Sequence, residues 1–196
     1  MHDERRRKSD SEQGSDQPAE TVDAMPVAGR NSLRWLWLVA FILILDQVTK
    51  WLIVDNFQLY QRINMLPFFD LVRLHNTGAA FSLFSEASGW QRWFFTGLAT
   101  VISVVILWWQ WNLPRERHRL LSLGLALVLA GAVGNVIDRM MYGHVVDFLL
   151  FYIGPYAWPA FNVADSAICV GVACVLYDHL VLEKKRGGRR AADREG

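Results

Sequence analysis

Four apolar runs, at roughly 33 to 54, 91 to 111, 119 to 141 and 160 to 182, constrain this chain more than anything else in it. At about 1.5 Å per helical residue, each is long enough to cross a hydrocarbon core about 30 Å thick. None shows a polar face at helical period, which argues against a bundle of buried helices in a soluble domain. Of the 196 residues 53% are apolar, and the charge is gathered into the two tails and one short loop, the pattern of an integral membrane protein. Trp35, Trp37, Trp51, Trp90, Trp93, Trp108, Trp109 and Trp111 stand near the ends of the runs, where interfacial indoles belong.

Residues 1 to about 30 have no apolar periodicity and read as a disordered tail, with Met25 as a second candidate start. The first run is too long, and too polar near its end, for a cleaved signal peptide. Arg30 and Arg34 precede the first run, Arg115, Arg117 and Arg119 join the second to the third, and Lys184, Lys185, Arg186, Arg189 and Arg190 follow the fourth. All fall on one side, which the positive-inside rule makes cytoplasmic. The expected organisation is a cytoplasmic tail to residue 30, a membrane domain over 31–183 and a basic cytoplasmic tail over 184–196.

The loops at 55 to 90 and 142 to 159 then face outward. Partial alternation over Phe69 to Asn76, with a second strand starting near Gly78 and running into Ala79-Ala80-Phe81-Ser82, predicts a small sheet against the membrane. Gly143, Gly154, Pro155 and Pro159 predict a second loop that breaks any helix continuing from the third run. The fold class expected is therefore membrane all-α: four transmembrane helices, a small extracytoplasmic β-sheet and a second extracytoplasmic loop. Cys169 and Cys174, five apart, do not share a helix face; they read as small core residues, neither a disulfide nor a thiolate metal site.

An ionisable residue inside a bilayer is expensive and marks a functional site by default. Asp46 and Lys50 lie about 20 and 26 Å from the inner edge of the first run. Asn135, Asp138 and Arg139 share a face at the outer end of the third, and Asn162 and Asp165 open the fourth. Three helices thus deliver polar groups to one layer just below the outer surface. Asp46 and Lys50, four apart, form either a structural ion pair or part of a substrate site. Asp138 and Arg139 could serve to cap and orient the third helix. Gly131 and Gly134, with Ala130 and Ala132, allow close approach of either a helix or a substrate. His75 and His144 are single loop histidines without metal-ligand spacing.

Asp147 lies just outside the third run, eighteen residues before Asp165, and a loop with turn residues between them can fold the acids together. Two carboxylates at one water-accessible edge share a proton, one acting as base and the other as acid, the arrangement of an aspartic peptidase. A Ser/Lys peptidase with Lys50 as base and Ser82 or Ser166 as nucleophile leaves both acids unexplained. A proton- or ion-coupled transporter predicts polar groups near the midplane and often two related halves, and the sequence shows neither. A non-catalytic assembly protein would tolerate replacement of either acid.

Asp46-Gln47-Val48-Thr49-Lys50, Asn76-Thr77-Gly78-Ala79-Ala80-Phe81-Ser82, Gly131 through Arg139, Val145-Val146-Asp147-Phe148 and Phe161-Asn162-Val163-Ala164-Asp165 together resemble the motif blocks of bacterial lipoprotein signal peptidase, signal peptidase II. They occur in the family's order and span roughly residues 33 to 182. The resemblance implies a multi-pass inner-membrane aspartic endopeptidase, its site near the outer face, that cuts prolipoproteins immediately before a diacylglyceryl-modified cysteine. It implies no metal and no cofactor. Asp147 and Asp165 would be the catalytic pair, with Asp46, Lys50, Asn76, Gly78, Asn135, Asp138, Arg139, Asn162 and Ala164 binding substrate or supporting the site. The implied partners are the diacylglyceryl-prolipoprotein and membrane lipid, with no nucleic acid, and the enzyme is expected to be a monomer. The long charged N-terminal tail departs from the compact family pattern.

Overall fold

The structure, a computed structural model, describes residues 35–78, 90–113 and 119–183. Helix α1 (Leu36–Asn56) leads to strands β1 (Arg62–Leu66) and β2 (Phe69–Asn76). Helices α2 (Trp90–Asn112) and α3 (Arg119–Tyr142) follow, then β3 (Val145–Ile153), β4 (Tyr156–Ala157) and α4 (Val163–Tyr177), which runs on into a π-helical turn, Asp178–Glu183. Four helical spans, the last of them Val163–Glu183, are long and apolar enough to cross a membrane. The tails expected at 1–30 and 184–196, Ser82, Arg115 and Arg117 lie outside the described residues, as does the strand expected near Gly78 apart from Gly78 itself, which is a bend at φ +91° and in no strand.

Helix α3 is the axis of the bundle and packs against α1, α2 and α4. Of its most apolar window 61% is buried, against 17 to 22% for the other spans, so α3 is the wall shared by the rest while they present broad apolar faces outward. Small residues allow this, because helices in lipid gain their association from close packing. A Cβ on Gly124 would fall 2.7 Å from the Gly171 carbonyl oxygen, and one on Gly171 2.6 Å from that of Gly124. A Cβ on Gly131 would collide with the Ala164 carbonyl oxygen, and one on Gly134 would come 2.7 Å from Asp46 Oδ2. The glycines that the sequence left open between helix packing and substrate approach therefore serve helix packing.

The strands form one antiparallel sheet in the order β1-β2-β3-β4 at the end of the bundle where α1 finishes and α4 begins. The second outer segment, expected as a loop broken by turn residues, supplies β3 and β4. Gly143 does end helix α3, but the apolar stretch between it and Gly154 is long enough to pair. At the helix end Gly143 takes φ +82° while its N–H bonds the Arg139 carbonyl at 3.1 Å, an αL stop that turns the chain into β3. Buried Asp70 ties β1 to β2 by accepting from Arg62 and, at 2.8 Å, from Asn64. Arg73 donates to the Val54 and Phe57 carbonyls at 3.0 and 2.7 Å, fastening the sheet to the last turn of α1.

Ile53, Val146 and Phe148, with Val54, Phe57, Leu71, Leu149 and Val163, form the apolar joint between sheet and helices. At the other end Ile106, Leu113, Leu121, Leu125 and Leu129 close the bundle core. Cys169 and Cys174 are both free, as expected, but Cys169 is exposed on the surface of α4 and Cys174 only half-buried, so Cys169 is not the core residue its small size suggested.

Candidate active site

Helix α4 starts at the residue that organises the site. Asn162, in extended conformation, caps it by accepting the Asp165 N–H at 2.9 Å, the usual task of an Asn before an apolar helix. The same side chain donates to Asp147 Oδ1 at 2.8 Å and to the Val146 carbonyl at 3.3 Å. One fully buried amide thus holds both acids, through the carboxylate of one and the backbone of the other.

Two further asparagines fix the carboxylates. Asn76 donates to Asp147 Oδ2 at 2.9 Å, and Asn135 donates to Asp165 Oδ1 at 2.8 Å. Asn76 reaches Asp147 because of a register irregularity. Leu71 pairs with Leu149 and Leu74 with Asp147, so three residues of β2 oppose two of β3. A bulge of this kind re-aims side chains by one position. It places Leu74 and Asn76 on the face of Asp147, where an unbroken alternation would have turned them away.

Asp147 lies 3% exposed, and burial, reinforced by the neighbouring Asp165 charge, pushes its carboxyl up to about 7, against the pull of the Asn76 and Asn162 hydrogen bonds. It lines a cavity of about 470 Å³ together with Asn76, Gly78, Phe95, Arg139 and Pro159. Gly78 adopts φ +91° and donates its N–H to Asn76 Oδ1 at 2.8 Å, so this glycine orients the asparagine that orients the acid. Arg139 stacks its guanidinium over the Phe95 ring at 5.5 Å and lies within electrostatic reach of Asp165, Asp138 and Asp147.

Beneath this layer sits a buried ionic cluster. Lys50 Nζ contacts Asp46 Oδ2 at 2.8 Å, Asp138 Oδ2 at 2.9 Å and Asn135 Oδ1 at 3.2 Å, which uses all three ammonium protons. Asp46 Oδ1 accepts the Ala164 N–H at 2.9 Å, and Asp138 Oδ2 accepts the Val146 N–H at 3.2 Å. Each carboxylate therefore joins α1 or α3 to the chain beside an acid of the site. The Asp46–Lys50 pair that the spacing suggested is present, and Asp138 is its third member. Asn135 links this cluster to Asp165 by accepting from Lys50 and donating to the acid.

Among the described residues, every site residue that the resemblance implied falls in this one region. Gln47 was missed: its amide donates to Asp138 Oδ1 at 3.0 Å, Asp46 Oδ2 at 3.2 Å and the Gly134 carbonyl at 3.4 Å. Its place between Asp46 and Lys50 in the first motif was the available signal. Phe95, the platform for Arg139, was missed as well, and an aromatic in an apolar run carries no signal. His75 and His144, read as separate loop residues, are instead stacked, with ring centroids 3.6 Å apart, and His75 belongs to β2. Among the described residues no group of three or more His, Cys, Asp or Glu is placed to hold a metal.

The family model described as signal peptidase (SPase) II matches residues 38–181. The lipoprotein signal peptidase of Alteromonas mediterranea is 49% identical over 161 residues, 82% of this chain and 88% of that protein. Those of Shewanella woodyi and Vibrio cholerae are 48% and 47% identical, over 80% and 76% of this chain and 89% and 88% of their own lengths. Among solved structures, a bacterial membrane enzyme determined by the in meso method at 1.9 Å superposes with a TM-score of 0.65 at 30% identity, covering 76% of this chain and 93% of its own.

Proposed function

The chain belongs to the signal peptidase II family, aspartic peptidases that remove signal peptides from lipoproteins, and from that premise we propose that Asp147 and Asp165 are its catalytic carboxyls. The observation that carries this reading is the single Asn162 side chain bonded to both residues, with Asn76 and Asn135 each orienting one carboxylate oxygen. Asp147, pushed up to about 7, holds the shared proton, and Asp165 is the general base.

Asp165 takes a proton from a water, whose oxygen attacks the carbonyl of the residue before the diacylglyceryl-modified cysteine. Asp147 passes its proton to the carbonyl oxygen. Collapse of the resulting diol breaks the C–N bond: the amine leaves with the proton held by Asp165, and a diol hydroxyl returns one to Asp147. Arg139, over Phe95 at the cavity wall, draws the polar part of the substrate to the acids. The acyl chains stay in lipid, and each buried methylene adds about 0.8 kcal/mol to capture. With the basic connections cytoplasmic, both termini are inside and the sheet and acids lie at the outer face. The enzyme works as a monomer on substrate and lipid.

Among the described residues the Ser/Lys alternative finds no support, since Lys50 is engaged by three acceptors and Ser166 Oγ donates to the Asn162 carbonyl at 2.9 Å. The test is purified enzyme with one precursor in diacylated and unlipidated forms, scored for signal-peptide release with and without EDTA and a serine-directed reagent. Cleavage confined to the diacylated form and indifferent to both reagents is expected. Equal cleavage of the unlipidated form, or loss of activity with either reagent, would overturn the corresponding part of the reading.

A further inference from the structure

The Asn76–Asp147 hydrogen bond depends on two strand ends staying together, the last residues of β2 and the first of β3. Strand β2 finishes at Asn76, and β3 starts two residues after the glycine that stops α3, on the buried residues Val145 and Val146. Asn76 pairs with Val145 and His75 with Val146. Strand alternation puts His75 on the face opposite Asn76 and Asp147. The His75 and His144 rings stack at 3.6 Å with 23° between their planes, and His75 also lines the cavity that holds Asp147. His75 immediately precedes Asn76, and His144 lies three residues before Asp147. The His75 Nε2 atom is buried and makes no hydrogen bond among the described residues, where ring contact holds the imidazole.

We propose that the stacked His75–His144 pair is a positioning device for Asp147: while both rings are neutral it ties β2 to β3 beside the Asn76–Asp147 bond, and protonation releases the tie. The proposal rests on Asp147 being a catalytic carboxyl. Two imidazolium rings face to face repel at short range in a half-buried site, whereas neutral aromatic rings attract. Burial pushes both imidazoles below their usual range, so the stack is neutral at physiological pH. The groups around it are Arg73 of β2, which disfavours protonation of both rings, the Tyr142 backbone, whose hydrogen bond to the His144 ring favours it there, and Asp138 of α3, which also favours it at His144.

The experiment measures kcat and KM on a diacylglyceryl-prolipoprotein across neutral and acid pH, with a thermal melt in detergent for each variant. His144→Ala should lower kcat about tenfold with KM nearly unchanged, since it misplaces a reacting group without touching substrate. His144→Phe keeps a ring on His75 but cannot be protonated, so it should recover most of that loss and retain activity further into the acid range than the parent. His75→Phe is the second variant, expected to behave alike if His144→Phe melts early. A Phe variant no better than Ala, or one whose acid limb coincides with the parent's, would overturn the proposal. Asp147→Asn is run alongside: activity in that variant defeats the dyad reading, and its inactivity leaves the histidine result to stand or fall alone.

Discussion

The Asn162 amide donates to Asp147 Oδ1 at 2.8 Å, so the residue that caps α4 also holds an acid fifteen residues earlier, in β3. Asn162→Ala should therefore do two things at once. Losing the cap costs about 1 kcal/mol of stability. Freeing both acids lowers cleavage by on the order of 10²-fold. Asn162→Asp separates the effects, because it restores the cap but sets a third carboxyl beside Asp147. Its melting temperature in detergent should return towards the parent's while its activity does not.

Asp147→Asn should abolish cleavage at unchanged membrane abundance, and so should Asp165→Asn. Near-normal turnover by either would remove that residue from the pair. The stability of Asp147→Asn carries a second expectation. The folded carboxyl titrates at about 7, above its ordinary 3.8, so its contribution to stability is complete below 3.8 and lost as pH rises through 7. An Asn cannot ionise. The variant should melt higher than the parent at alkaline pH, and the advantage should vanish in acid. Parent activity should fall on the alkaline side of about 7 as the proton on Asp147 is lost, with apparent values that belong to the pair.

Lys50→Met leaves Asp46 and Asp138 buried without their cation and should cost about 3–5 kcal/mol. Changing Asp46 and Lys50 together to apolar residues removes one of the two stranded acids. Recovery should be partial, because Asp138 keeps only Gln47 and the Val146 N–H as partners. Unfolding in mixed detergent, compared across the single and double variants, measures the difference. Full recovery would mean that Asp138 contributes nothing to the cluster.

Gly131→Ala puts a methyl against the Ala164 carbonyl and should destabilise the chain by about 1–3 kcal/mol, as overpacking does. The displaced α4 carries Asp165, so activity should drop more than stability alone accounts for. Gly97→Ala is the control, since nothing lies within 4 Å of its added carbon. Equal effects at the two positions would show that the α3–α4 approach is not tight.

Much of the site was legible because three of the motifs lie at the ends of apolar runs, where a polar residue has little reason to occur unless used. Asp46, Lys50, Asn135, Asp138, Asn162 and Asp165 were all readable in this way. What stayed hidden was pairing across distance. The spacing of Asp46 and Lys50 suggested a pair, but Asp138, 88 residues after Lys50, completes a triad that no local spacing reports. Likewise β1 and β3 were not anticipated: β1 is exposed along its whole length and lacks the alternation of a half-buried strand, while β3 begins with four consecutive buried residues.

By itself the sequence determined four spanning helices and the common depth of their polar groups, because a backbone in lipid must satisfy its hydrogen bonds locally and runs of this length have no other solution. The tertiary structure alone decided which oxygen each asparagine meets. A single extra residue in β2 turns Asn76 towards Asp147, and bare glycines on α3 let α4 come close enough for Asn135 to reach Asp165. Those contacts depend on register and interhelical distance to within about an ångström, set by packing between segments far apart in the chain, which local periodicity does not encode.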